Sequence, residues 1–86
     1  MQSQDEILEH ITRTIVERFN PYRIVLFGSR ARGDAAEDSE YDIFVEMESD
    51  LRPWARVAAV HRAFGMRSWS MDVLVLTPAE LLRTTR

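Results

Sequence analysis

The chain has 86 residues, of which 45% are hydrophobic and 29% are charged, a composition typical of one small folded domain over residues 1–86. Its 11 basic and 14 acidic residues give a net charge of −3, which leaves no broad basic field for direct nucleic-acid binding. Cysteine is absent, the N-terminus is polar and acidic, and no apolar run approaches the roughly 20 residues that cross a bilayer. We therefore expect a cytoplasmic protein without disulfides or membrane spans.

The first part of the chain predicts a helix followed by a strand. Ser3 and Glu6 have the spacing of a capping box, and apolar residues then recur at helical intervals as far as Phe19. Pro21 ends this helix, because the residue before a proline is pushed out of the helical region. Residues 22–27 are apolar on both faces and rich in β-formers, which predicts a buried central strand.

The middle of the chain predicts a turn, a short helix and a second strand. Gly28 allows a sharp turn, and residues 29–32 can form a short helix that Gly33 ends. A polar loop follows. Residues 40–47 then alternate between apolar and other side chains, which is the period of a strand.

The last part predicts a helix, a strand and a short final helix. Ser49 or Asp50 is expected to cap the third helix. Residues 69–76 predict the third strand, and the residues from Thr77 onwards combine an N-cap, a first-turn proline and a capping glutamate. The order α-β-α-β-α-β-α predicts a layered α/β (α+β) domain with a three-stranded sheet.

Three carboxylates of the predicted strands are candidates for a metal site. Glu40 and Asp42 are two residues apart on one strand, so they share a face, roughly 6–7 Å apart at Cα. Asp72 stands among apolar residues of the third strand, where burial without a partner or an ion is costly. If these strands are neighbours, the three anions repel one another unless a cation lies between them. Mg²⁺ suits such oxygen ligands, and two ions can serve phosphoryl or nucleotidyl transfer.

The turn before this acidic pair is a candidate phosphate site. Gly28 and Ser29 can offer close backbone approach, N–H donors and one hydroxyl, and Arg30 or Arg32 can neutralise a leaving pyrophosphate. Taken singly, a Gly-Ser turn is often only a turn and a pair of acids on a strand is often only solvated. Their combination is much more specific.

These residues also resemble a known family. Gly28-Ser29-Arg30-Ala31-Arg32-Gly33-Asp34, the acidic pair ten residues after Ser29, and the aspartate in Met71-Asp72-Val73 are similar to the minimal nucleotidyltransferases of the DNA polymerase β superfamily. The resemblance implies a mixed sheet flanked by helices, a nucleoside triphosphate with Mg²⁺, and transfer of a nucleoside monophosphate. It departs at Glu40, where the family has its first aspartate. Many small bacterial members are antitoxins of HEPN-domain ribonucleases, and some add AMP to the toxin.

Two functions follow from this pattern. The first is an enzyme that transfers AMP from ATP to a protein, with Glu40, Asp42 and Asp72 as metal ligands and, as the resemblance implies, Asp72 holding or deprotonating the acceptor hydroxyl. The alternative is a non-catalytic antitoxin that neutralises a HEPN partner by contact. A polynucleotide polymerase is disfavoured by the small size, while pairing into a homo-oligomer is compatible with it. His10 and His61 have no ligand partner at suitable spacing, so we expect both to be structural or on the surface.

Overall fold

Helices and strands alternate along the chain in the predicted order. The computed structural model describes residues 2–84, which form seven elements: α1 (Gln4–Phe19), β1 (Arg23–Phe27), α2 (Gly28–Arg32), β2 (Tyr41–Glu46), α3 (Pro53–Phe64), β3 (Met71–Leu76) and α4 (Pro78–Thr84). Within residues 2–84, no helix is long and apolar enough to cross a membrane. The predicted α/β organisation is confirmed.

The predicted capping of the first helix is confirmed, and that of the third is wrong. Ser3 Oγ accepts the backbone N–H of Glu6, and Glu6 Oε1 accepts the N–H of Ser3, each at 3.2 Å. In α3 the N-cap is Arg52, without a side-chain hydrogen bond, and Ser49 Oγ instead accepts the N–H of Leu51 in the preceding loop. Pro53 in the first turn starts α3 without a cap because its φ angle is already helical.

The sheet has the order β1-β2-β3, with β1 antiparallel and β3 parallel to β2. The prediction that residues 22–27 form the central strand is therefore wrong, because β2 is central and β1 lies at an edge. Ile24 and Leu26 of β1 pack against the core, whereas Val25 and Phe27 lie on the outer face and are partly exposed. An apolar run of this kind does not distinguish a strand with two neighbours from an edge strand with an apolar outer face.

The hydrophobic core lies on one face of the sheet. Ile7, Ile11 and Ile15 of α1 and Val60 of α3 pack over the inward-facing residues of the two parallel strands, which are Tyr41, Ile43, Val45, Met71, Val73 and Val75. Strand alternation turns the intervening side chains to the opposite face, where Leu74 is 50% exposed. The outer face of the sheet is therefore open, and it is the face that carries the acidic side chains.

A partly buried ion pair joins α3 to α4. The Arg56 side chain, 5% exposed, donates from Nη1 to Glu80 Oε1 at 2.7 Å and from Nη2 to Oε2 at 3.2 Å. Arg56 also donates to the carbonyl oxygen of Leu51 at 2.9 Å. The hydrogen bonds from Arg56 and from the backbone N–H of Thr77 lower the pKa of Glu80 from 4.5 to about 2. Glu80 thus caps its own helix, as predicted, and also holds the Arg56 guanidinium.

Candidate functional site

The turn at Gly28 is held against Asp42, the second residue of the acidic pair, which lies on β2. Gly28 has a φ angle of +73°, in the left-handed region that favours glycine. A Cβ atom placed on it would overlap Asp42 Oδ2 and lie 3.1 Å from Asp42 Cγ. Glycine is therefore required twice, for the backbone angle and for the close approach of the turn to this carboxylate.

Asp42 and Asp72 lie side by side on the outer face of the sheet. The strand register pairs Phe27 with Asp42 and Asp42 with Asp72, so the end of β1 and both aspartates form one row across the sheet. Neighbouring strands are about 4.8 Å apart, which brings the two carboxylates close together. The sequence argument required the second and third strands to be neighbours, and β2 and β3 are neighbours in the sheet.

The burial argument that singled out Asp72 is wrong. The residue is exposed, because alternation along β3 turns Val73 inward and Asp72 outward. An isolated aspartate in an apolar strand is costly only on the covered face of a sheet. Its neighbours in sequence therefore do not show whether it is buried.

Glu40 lies one residue before β2, although the sequence pattern placed it on the strand, and it is exposed. Among residues 2–84, no three His, Cys, Asp or Glu side chains come together as a group that could hold a metal ion. The aspartate pair nevertheless fits a hard divalent cation, because Mg²⁺ is commonly held by one or two carboxylates together with substrate phosphates.

Ser29 closes the turn through its backbone. Its carbonyl oxygen accepts the N–H of Gly33 at 3.0 Å and that of Asp34 at 3.2 Å, which ends α2 after five residues. The Ser29 hydroxyl makes no hydrogen bond to another described residue. It is therefore a free donor beside the aspartate row.

Arg30 fastens the loop that precedes β2. Its guanidinium donates to the carbonyl oxygen of Ser39 at 2.8 Å, to that of Glu37 at 3.0 Å and to Gln4 Oε1 at 3.1 Å. It also lies over the ring of Tyr41, 4.3 Å from the centroid. The sequence pattern suggested that Arg30 binds pyrophosphate, whereas the structure engages its donors in positioning the chain on either side of Glu40.

Arg32, the other arginine of the turn, is exposed at the end of α2. Its Nε lies 3.4 Å from Asp34 Oδ2, and both side chains are more than half exposed. Such a pair contributes little to stability and separates easily. Arg32 is therefore the more accessible cation of the two predicted ones.

Comparison with known protein families identifies the family of this chain. A family model described as "Nucleotidyltransferase domain" matches residues 8–85, which is nearly the whole chain. The chain belongs to this nucleotidyltransferase domain family. Comparison with curated proteins and with solved structures gave no match. Family membership supports nucleotidyl transfer in general, with a nucleoside triphosphate as substrate.

The nucleotidyltransferase domain has a second set of polar contacts that the sequence did not reveal. Arg67 Nη2 lies 3.2 Å from His61 Nδ1, and the Arg67 guanidinium lies 5.1 Å from the centre of the Trp69 ring. Burial and the nearby Arg67 charge lower the pKa of His61, while Asp72 acts in the opposite direction. No sequence pattern predicts a contact between the end of α3 and the loop that follows it. The pairing of His61 with Arg67 is therefore seen only in the folded chain.

Three grooves lie beside the N-terminus of α1 and the loops before β2 and β3. The largest has a volume of about 660 Å³ and is lined in part by Ile7, Arg30, Tyr41 and Trp69. Asp42 and Asp72 lie outside all three grooves. The candidate catalytic row of the nucleotidyltransferase domain lies on the open face of the sheet, where Asp72 is exposed.

Proposed function

We propose that this nucleotidyltransferase domain transfers AMP from ATP to a hydroxyl group of a protein. The observation that carries the proposal is the approach of the Gly28 turn to Asp42, which is itself in register with Asp72. A phosphate chain lying along the turn would meet two carboxylates at its edge. That is the juxtaposition required to hold a triphosphate and a divalent cation together.

The triphosphate is proposed to lie against Gly28 and Ser29, where the absence of a side chain allows close approach and the free Ser29 hydroxyl can donate. Arg32 is the proposed partner of the leaving pyrophosphate, since its weak pair with Asp34 is readily exchanged. Arg30 is proposed to act mainly by holding the loop before β2. Its guanidinium would contact phosphate only after releasing the carbonyl oxygens of Glu37 and Ser39.

The proposed cation ligands are Asp42 and Asp72, with Glu40 as a third. Bound Mg²⁺, as one ion or two, would neutralise charge on the phosphate oxygens and on the leaving group. The acceptor oxygen would bond to the α-phosphorus as the bond from that phosphorus to the pyrophosphate oxygen breaks. Asp72, the more exposed aspartate, is proposed to hold the acceptor hydroxyl and take its proton.

The choice of ATP, of a protein acceptor and of a HEPN-domain toxin as that acceptor is supported by the resemblance to minimal nucleotidyltransferases. In this proposal the domain is a cytoplasmic antitoxin that inactivates its partner by adenylylation.

A second candidate function is neutralisation of the same partner by contact alone. Two observations favour it. Glu40 stands where the pattern of the minimal nucleotidyltransferases has its first aspartate, and among residues 2–84 no third carboxylate joins the aspartate pair in a metal-binding group. A longer side chain displaces the carboxylate by about 1.5 Å, which matters at an octahedral ion.

The two functions are separated by incubating the protein with ATP, Mg²⁺ and a HEPN-domain partner encoded beside it. Enzymatic action predicts a partner heavier by one adenylate, measured by intact-protein mass spectrometry. Asp42→Asn and Asp72→Asn should each reduce the transfer rate by at least about a hundredfold while the protein remains folded. Asp38→Asn, in the exposed loop, is the matched control and should be neutral.

Full neutralisation of the partner without any adduct would exclude the enzymatic function and favour contact. Loss of both adduct and neutralisation in the two aspartate variants, with normal circular dichroism, would exclude contact alone.

A further inference from the structure

An apolar row crosses the open sheet face next to the aspartates. The register pairs Val25 with Phe44 and Phe44 with Leu74, two residues further along the strands than Asp42 and Asp72. We call Val25, Phe44 and Leu74 the apolar row. Residues two apart on a strand share a face and lie about 6–7 Å apart, so this row is one step from the carboxylates. Val25 is 37% exposed and Leu74 is 50% exposed.

On the side away from the aspartates, the apolar row is followed by a pair of oppositely charged side chains. Arg23 Nε lies 3.3 Å from Glu46 Oε1, and the Arg23 guanidinium lies 5.6 Å from the centre of the Phe44 ring. The outer face therefore runs from the aspartates across apolar side chains to an ion pair. A ligand that reaches the aspartates and extends along the strands towards Arg23 and Glu46 covers the apolar row.

The size of this face argues against a second copy of the chain as its occupant. Three strands about 4.8 Å apart and about six residues long offer on the order of 300 Å². A stable protein interface needs about 800 Å² from each partner. The sheet face by itself is smaller than a standard protein interface, whereas its dimensions match one short extended segment.

We infer that the apolar row docks the acceptor segment of the protein substrate. The segment is extended, with its hydroxyl residue at Asp72 and an apolar side chain two residues away resting on Val25, Phe44 and Leu74. The spacing follows from geometry, because alternate residues of an extended peptide lie on one side with the same 6–7 Å repeat as the sheet beneath. This inference rests on the proposed transfer to a protein hydroxyl and adds the sequence pattern of the acceptor.

Two peptides of identical composition test the spacing. One reads Gly-Leu-Gly-Ser-Gly-Leu-Gly and the other Gly-Gly-Leu-Ser-Leu-Gly-Gly, and a second pair carries Tyr in place of Ser. With ATP and Mg²⁺, the intact protein should adenylylate the first peptide of a pair at least about tenfold more efficiently, measured as kcat/KM by mass spectrometry. Leu74→Thr should remove this preference by raising KM, with ATP affinity unchanged by calorimetry.

The matched control is Leu51→Thr, because Leu51 is 49% exposed and lies in the loop before α3. This variant should retain the preference. Equal use of the two peptides, or no use of either, would overturn the docking inference. A loss of ATP affinity in Leu74→Thr would also overturn it, because the apolar row would then bind the nucleobase. The same holds for a concentration-dependent change in the sedimentation of the wild type that Leu74→Thr abolishes, because the apolar row would then bind a second copy of the chain. Absence of adenylylation of the HEPN partner by the wild-type protein would instead refute the proposed function.

Discussion

Replacing Gly28 by alanine tests the geometry on which the candidate site depends. A residue with a side chain pays about 1–2 kcal/mol to adopt the left-handed backbone region in which Gly28 lies. The new methyl group would also overlap Asp42 Oδ2, and Asp42 Cγ and Cβ lie 3.1 and 3.3 Å from the same position. Rotation of the carboxylate about the Cβ–Cγ bond does not clear these two carbon atoms, so Asp42 must change its rotamer or the turn must move away from it. We expect this overlap to add about 1–3 kcal/mol to the backbone cost.

Gly33→Ala is the matched control for Gly28→Ala. Gly33 has a φ angle of +84°, and nothing lies within 4 Å of the position where its Cβ would be. This variant should therefore lose only the backbone contribution, about 1–2 kcal/mol, or roughly 5–15 °C in Tm for a domain of this size. Gly28→Ala should lose distinctly more.

Urea and thermal unfolding followed by circular dichroism measure the two losses. The double variant Gly28→Ala with Asp42→Ala should recover part of the Gly28→Ala loss, with a coupling of about 1 kcal/mol, because the overlapping atoms have been removed. Equal destabilisation by Gly28→Ala and Gly33→Ala, together with additive behaviour of the double variant, would refute the close approach of the turn to Asp42.

Two further predictions concern the contacts that hold the loop and the last helix. Arg30→Met should cost about 1–2 kcal/mol in urea unfolding, because the loop carbonyls and the Tyr41 ring lose their cationic partner. Glu80→Gln should lower stability at pH 7 and flatten its dependence on pH between 4.5 and about 2. The folded-state pKa of Glu80 lies below its ordinary value of 4.5, so its contribution is present above pH 4.5 and is lost as the pH falls towards about 2.

Each of these predictions has a matched control. Arg32→Met removes only an exposed pair, so its effect should stay within about 0.5 kcal/mol, and a loss as large as that of Arg30→Met would contradict the anchoring role of Arg30. Glu17→Gln, on the exposed side of α1, should leave the acid dependence of stability close to that of the wild type. An unchanged acid profile in Glu80→Gln would show that the Arg56 pair does not control it.

The local features of this protein were predictable from its sequence. The capping box of Ser3 and Glu6 and the turn at Gly28 depend on hydrogen bonds and backbone angles between near neighbours. The alternation along β2 has the same local character, and it correctly placed Asp42 opposite the core-facing residues. The family was also predictable from the sequence, because the spacing of the Gly-Ser turn, the acidic pair and the third carboxylate indicated it.

Tertiary structure alone decided what the local pattern left open. Strand order made β1 an edge strand. The packing of α1 and α3 on the opposite face of the sheet left Asp72 exposed to solvent, because helices distant in sequence decide which face is covered. It also gave Arg30 its loop carbonyls and Arg56 its partner Glu80, 24 residues away. Arginine side chains are long enough to contact residues that are distant in sequence, so the spacing of residues along the chain does not predict these partners. The sequence by itself identified the acids and the turn of the candidate site, and the packing of the sheet determined that Gly28, Asp42 and Asp72 meet on an open face.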